Sequence, residues 1–277
     1  MTIVNSVYNR DKNINYRVIN MNKNSKFYLT LEKTIKILNF LADQENPQGV
    51  REIARQLDLN VSTVHRILFT LKEYGYVKKL QNKYSLGIRL FEMGNIFFRR
   101  LDIQDSITPI LNKLMQETGE TVSFSVYNNG ERVYLAIVRS SNPIQTIAFV
   151  GKRELLHKSG AGKAIMAYLP EKEIDRIIQE KKLPKYTNHT ITDVDKLEKE
   201  LEKTRSRGYA IDLGEGEEDV DCIATPVFNH RSEVIGAISI SVPGYRFSAE
   251  KCDKFKDFVL KAAREASKSL GYKIDVN

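Results

Sequence analysis

A chain of 277 residues with 42% hydrophobic side chains is long enough for two modest domains, each with its own core. Its apolar runs, such as "AFVG" and "CIATPVF", are strand-sized and far short of a membrane span, and no apolar leader opens the sequence. Two cysteines, Cys222 and Cys252, make neither a disulfide framework nor a metal-ligand spacing, so a cytoplasmic protein without metal or cofactor is expected. The net charge of +8 is unevenly placed: residues 1–101 hold 17 Lys and Arg against 8 Asp and Glu, and residues 102–277 hold 26 against 27. Positive charge gathered in one segment is the electrostatic footprint of nucleic-acid binding beside a near-neutral partner domain.

Residues 1–24 carry seven Asn and no sustained apolar period, and are read as a disordered tail, with Met21 a candidate internal start. From Tyr28, Leu31, Ile35, Leu38 and Leu41 fall at helical spacing, ending at "DQENPQG", where Pro47 and Gly49 break the helix. A short helix, "VREIARQL", follows with Ile53, Ala54 and Leu57 on one face, then a tight turn, "DLN". A third helix, "VSTVHRILFTLKEYG", turns Val64, Ile67, Leu68 and Leu71 inward and stops at Gly75. "YVKKL" and "KYSLG" read as two strands of a basic hairpin around Gln81 and Asn82. "IRLFEMGNIFFRRL" (88–101) reads as a helical linker, unusually rich in large apolar residues, and Pro109 suits the first turn of the next helix.

The remainder alternates. Strands are expected at 121–127, 132–140 and 144–150, with "NNG" at 128–130 as a hairpin turn. Helices follow at about 160–169, 171–181 and 193–207, strands at 208–213, 222–228 and 234–242, and a last helix at about 248–270. Paired strands with helices between and after them indicate an α+β layer rather than a doubly wound sheet. The domains are a tail (1–24), a winged helix-turn-helix (25–87), a linker helix (88–101) and a second domain (102–277).

Helix, helix, turn, helix and basic hairpin make a winged helix-turn-helix, whose third helix can enter a major groove if its outer face carries short polar and basic groups. That face is Ser62, Thr63, His65, Arg66 and Thr70, while Lys78, Lys79 and Lys83 on the wing suit phosphates. The same shape also serves protein-binding modules; the charge asymmetry favours DNA.

"REIARQLDLNVSTVHRILFTLKEYGYV" and "YSLGIRLFEMG" resemble the N-terminal domain of IclR-type bacterial transcriptional regulators. "LHKSGAGKAIMAYL", "RGYAIDLGEGEEDVDCIATPVFN" and "VIGAISISVP" resemble their effector-binding domain, so the likeness covers about residues 28–272 in the family's order. The resemblance implies a linker helix leading to a GAF-like domain, a curved antiparallel sheet flanked by helices. It implies homodimers, often paired into tetramers, on palindromic operator DNA. Ile96, Phe97 and Phe98 then have a use against a partner chain, the alternative being the chain's own second domain. The resemblance further implies a small-molecule effector, often a carboxylate, at Ser159, Gly160, Ala161, Asp212, Cys222, Ser239 and Ser241. An anionic ligand fits a helix N-terminus at Gly160 and Ala161, and Ser239 and Ser241, two apart on a strand, share a face. Asp212 favours a hydroxy or keto acid. The sequence departs from the family at Asp219, usually a glycine, within six acidic residues between 212 and 221; Lys152, Arg153, Lys158 and Lys163 lie near enough to offset them. The function implied is a regulator, read as a repressor, of a catabolic operon.

Enzyme readings compete. "LLHKSGAGKA" (155–164) looks like a phosphate loop, but a Walker sequence needs a glycine where His157 stands and a hydroxyl where Ala164 stands. No thiol-enzyme signature surrounds Cys222. No catalytic residue is assigned.

Overall fold

The computed structural model describes residues 28–100, 106–140, 142 and 148–272, without the side chains of 97–100. The expected tail and possible start at Met21 fall outside them. The chain divides into two compact units, residues 1–101 and 102–277.

In the first unit, α1 (Leu29–Ala42) buries Ile37 and Leu41, one turn apart. Leu31 and Ile35 remain 59% and 50% exposed. The expected inward stripe is therefore rotated: α1 carries two apolar stripes, and the core takes the Ile37–Leu41 one, with Leu38 packed at its edge. β1 (Gln48–Gly49), α2 (Val50–Gln56) and α3 (Val61–Glu73) follow. Asp58 holds the α2–α3 turn in the left-handed region at φ 50°, where Asp is tolerated because its short polar side chain bonds locally. Val64, Ile67, Leu68 and Leu71 all face the core, as their spacing predicts. β2 (Val77–Leu80) and β3 (Lys83–Leu86) form the hairpin, with β1 as a third antiparallel strand on β3. α4 (Ile88–Arg100) leaves the wing where Gly87 passes so close to the Gly75 carbonyl that a Cβ would sit 2.1 Å from its oxygen.

In the second unit, α5 (Thr108–Thr118) opens with Pro109 and ends on left-handed Gly119. β4 (Thr121–Asn128) and β5 (Glu131–Val138) meet at Asn129 and Gly130, both at positive φ, the twist a two-residue hairpin needs. Of the expected strand at 144–150, residues 144–147 lie outside the described set and 148–150 form no strand. The edge strand is instead β6 (Arg153–Leu155), paired to β5. Then come a 3₁₀ turn (Leu156–Lys158), α6 (Gly160–Met166), α7 (Glu171–Lys181) and α8 (Val194–Arg207). β7 (Ala210–Leu213), β8 (Val220–Phe228), β9 (Val234–Pro243) and α9 (Ala249–Ser269) complete the unit.

Among the described residues six strands form one antiparallel sheet in the order β6-β5-β4-β9-β8-β7, a curved sheet flanked by helices in an α+β fold. On one face Cys222, Ala224 and Ala237 join an apolar cluster with Ala161, Ile165, Leu197 and Leu201 of α6 and α8. Alternate residues, Ile223, Ile238 and Ile240, point to the opposite face. α5 and α9 pack together and against β4, β8 and β9. The first face carries small residues where the second carries isoleucine, and that difference in volume leaves room for a cavity.

Candidate functional sites

The outer face of α3 is open. Ser62, His65, Arg66 and Thr70 are exposed and Thr63 is half-buried; Lys78, Lys79 and Lys83 stand exposed on the wing. Among the described residues no ion pair engages Arg66 or these three lysines, so their charge is uncompensated at contact range. Thr70 is less free than the rest: its hydroxyl donates to the Arg66 carbonyl at 3.1 Å. Arg55, by contrast, is tied to Glu52 at 2.8 Å. The seven other side chains make a polar, basic surface on a rigid helix and hairpin.

The second site is a cavity on the small-residue face of the sheet. Strand register builds it: Thr121 on β4 is paired with Ser241 on β9, Ser241 with Cys222 on β8, and Cys222 with Asp212 on β7. One row across four strands thus supplies four lining residues, joined by Ser123 and by Ser159, which caps α6 by accepting from the Gly162 N–H at 3.1 Å. Of the residues expected from sequence, Ser159, Asp212, Cys222 and Ser241 line the cavity. Gly160 backs its wall, where an added Cβ would lie 3.2 Å from the Cys222 Sγ. Ala161 sits in the apolar cluster instead. Ser239 is buried, its hydroxyl sharing a hydrogen bond with Ser123 at 2.8 Å.

The opposite wall combines Lys152 and Lys158, which the sequence offered as charges offsetting the acidic run, with Arg132, Tyr134 and Glu154, which no sequence motif singles out. β5 buries every second residue, Arg132, Tyr134 and Ala136, and the first two line the cavity. Arg132, directly opposite Glu154 on β6, donates to its carboxylate and to the Tyr134 hydroxyl oxygen. Lys152 and Lys158 approach the same carboxylate at 3.1 and 3.6 Å. Burial alone would raise the Glu154 pKa, but Arg132 and the two lysines hold it far below the usual carboxylate range. The sequence signal for Arg132 is its phase: it alternates with two inward residues of one strand.

Asp212 behaves oppositely. Burial, and then the Glu215 charge, lift its carboxyl to about 7, although the Glu215 N–H donates to it at 2.7 Å. Burial pushes the Cys222 thiol up to about 12, so it stays protonated and is no nucleophile. Lys163, the lysine of the phosphate-loop look-alike, is 1% exposed and paired with Glu215. It belongs to the protein interior and not to the cavity lining. Of the acidic run, only Asp212 and Glu217 line the cavity, while Glu217, Glu218 and Asp219 are exposed. Among the described residues no cluster of His, Cys, Asp and Glu could hold a metal ion, and no helix is long and apolar enough to cross a membrane.

An exposed winged helix-turn-helix followed by a sheet domain with a buried polar cavity defines a two-domain DNA-binding protein. Residues 30–81 match the IclR helix-turn-helix domain and residues 97–268 the bacterial transcriptional regulator IclR C-terminal domain. The chain belongs to the IclR family of bacterial transcriptional regulators, a family of regulators rather than enzymes. It is 34% identical to the HTH-type transcriptional regulator BhcR of Paracoccus denitrificans, over 86% of this chain and 85% of that one. It is 31% identical to the transcriptional repressor IclR of Escherichia coli, over 87% and 90%. Among solved structures, the Thermotoga maritima IclR superposes with a TM-score of 0.73 at 34% identity, covering 88% of this chain and 99% of that one. An IclR homologue from Microbacterium hydrocarbonoxydans complexed with 4-hydroxybenzoate shares the fold, with a TM-score of 0.77 at 22% identity, covering 87% and 98%.

Proposed function

We propose that the protein represses a catabolic operon and is released from a palindromic operator when a small organic acid, a hydroxy or keto acid, occupies the cavity of the second domain. The domains taking part are a tail (1–24), the winged helix-turn-helix (25–87), the linker helix (88–101) and the effector domain (102–277). Ser62, Thr63, His65 and Arg66 read bases, Thr70 supports them, and Lys78, Lys79 and Lys83 hold phosphates. Ser159, Asp212, Cys222 and Ser241 meet the effector, with Gly160, Ala161 and Ser239 shaping the wall behind them. The observation that carries the sensor half is the single row Thr121–Ser241–Cys222–Asp212, which presents hydroxyl, thiol and carboxyl groups to one cavity.

Self-association as a dimer or tetramer is part of this reading. Leu29, Leu31 and Ile35 of α1 and Ile88, Phe91 and Ile96 of α4 are exposed large apolar residues on a small basic unit, and such surface is stabilised by a partner. Footprinting across the protein's own promoter region tests the DNA half: protection is expected. Thr63→Ala with Arg66→Ala should weaken binding, with about 1–3 kcal/mol for each base interaction removed; unaltered binding refutes the assignment. Ser239→Ala with Ser241→Ala should abolish the effector response and leave operator binding intact.

A further inference from the structure

The cavity has two chemically different ends. At one end Asp212, Cys222, Ser159 and Ser241 offer a carboxyl, a thiol and two hydroxyls. At the other stands Arg132, 5% exposed, whose two hydrogen bonds both leave from Nη2, to Glu154 and to Tyr134. Among the described residues its Nε, with almost no exposed surface, has no hydrogen-bond partner. A buried N–H without an acceptor is destabilising, and on a guanidinium more so, because a buried charge needs its hydrogen bonds satisfied. The charges around it are unequal too. Arg132 and Lys158 line this wall with Lys152 beside them, and among the described residues one fully charged buried carboxylate, Glu154, faces Arg132 and Lys158, while Asp212 also lies within electrostatic range of Arg132. The second carboxylate near Lys152, Glu217 at 3.7 Å, is 48% exposed and screened by solvent. A cationic surplus around a buried guanidinium that lines a cavity is a receptor for an anion with planar acceptor geometry.

Resting on the reading of this cavity as the effector site, we propose that Arg132 anchors the ionised carboxylate of the effector. The effector then lies with its carboxylate at the β5–β6 wall and its hydroxyl or carbonyl oxygen against the Asp212–Ser241 row. The cavity selects a small carboxylic acid over a neutral molecule of the same shape, and Glu154 is the resident charge that the effector's carboxylate must share Arg132 with.

Three acid and amide pairs serve as probes on the full-length protein: 4-hydroxybenzoate and 4-hydroxybenzamide, lactate and lactamide, succinate and succinamide. Binding is read by thermal shift and titration calorimetry. At least one acid is expected to bind at millimolar concentration or below and its amide not to. Arg132→Gln should weaken that acid at least about tenfold, the scale of a lost charge-assisted hydrogen bond. Glu154→Gln should instead tighten it, since it removes the competing charge; a merely structural role for the pair predicts weakening in both. Arg132→Gln with Glu154→Gln removes both members of the buried pair together and keeps the test alive if the single variant folds poorly. Equal binding of acid and amide, no acid bound at all, or unchanged affinity in the Arg132 variants overturns the proposal. Ser241→Trp fills the cavity and separates the two levels. If it abolishes binding while Arg132→Gln does not, only the anchor is wrong; if binding survives it, the cavity is not the effector site and both readings fall.

Discussion

Asp212 is a residue whose environment changes its ordinary charge state near neutral pH. Its carboxyl moves from 3.8 to about 7, through burial first and Glu215 second. In that interval the folded protein holds a proton that the unfolded chain has released, so the group favours folding most below about pH 4 and loses that contribution as pH rises through about 7. Asp212→Asn keeps an oxygen to accept the Glu215 N–H and cannot ionise. It should therefore melt above the wild type at alkaline pH by at most about 4 kcal/mol of stability, with the gap closing towards pH 4. Calorimetric melts across that range check it, and parallel profiles for the two proteins would count against a buried, raised Asp212. Glu215 is also raised, by burial, so the variant flattens the pH slope without removing it. Asp212 and Ser241 could be named from motifs because they sit in stretches that resemble a known family. Arg132 lies in none of them, and a cation on an inward strand phase reads as an ordinary surface residue until β6 brings Glu154 opposite it.

At the scale of elements, helices with one apolar stripe were legible and those with two were not. α3 has a single stripe, and all four of its predicted core residues are buried. α1 has two, and only the packing of α2, α3 and the hairpin decides which turns inward. Leu68→Ala removes a side chain with no exposed surface and should cost about 2–5 kcal/mol, seen as loss of the cooperative melt of the DNA-binding unit. Ile35→Glu, on the outer stripe, should leave the folding free energy within about 0.5 kcal/mol when measured under dissociating conditions. It should instead lower the mass found by sedimentation, because a charge in a proposed self-association surface is costly to bury. An unchanged mass removes that stripe from the interface. The very short strands β1 and β6, two and three residues long, carry too few residues to show a period; they exist because a longer neighbour offers them a free edge.

At the scale of the whole molecule, the charge is segregated by domain: the excess of +9 lies in residues 1–101, and residues 102–277 sum to −1. Lys78→Ala, Lys79→Ala and Lys83→Ala together should therefore weaken operator binding and reduce the salt slope of its logarithm by about one for each phosphate no longer neutralised. They should leave the binding of an effector to the free protein unchanged, since the wing belongs to the other unit. The link between the two units is a thermodynamic one and has a strict test. If an effector lowers operator affinity by some factor, the operator must lower effector affinity by the same factor, whatever path connects them, and couplings of this kind typically fall between about 5-fold and 150-fold. Titrating a bound acid into the free protein and into the operator complex gives the second factor, and DNA titrations with and without the acid give the first. Equal factors above unity mean that the cavity and the α3 face bias one two-state equilibrium. A factor of one in both directions means that the cavity binds its ligand without informing the DNA-binding domain, and the repressor reading then loses its switch.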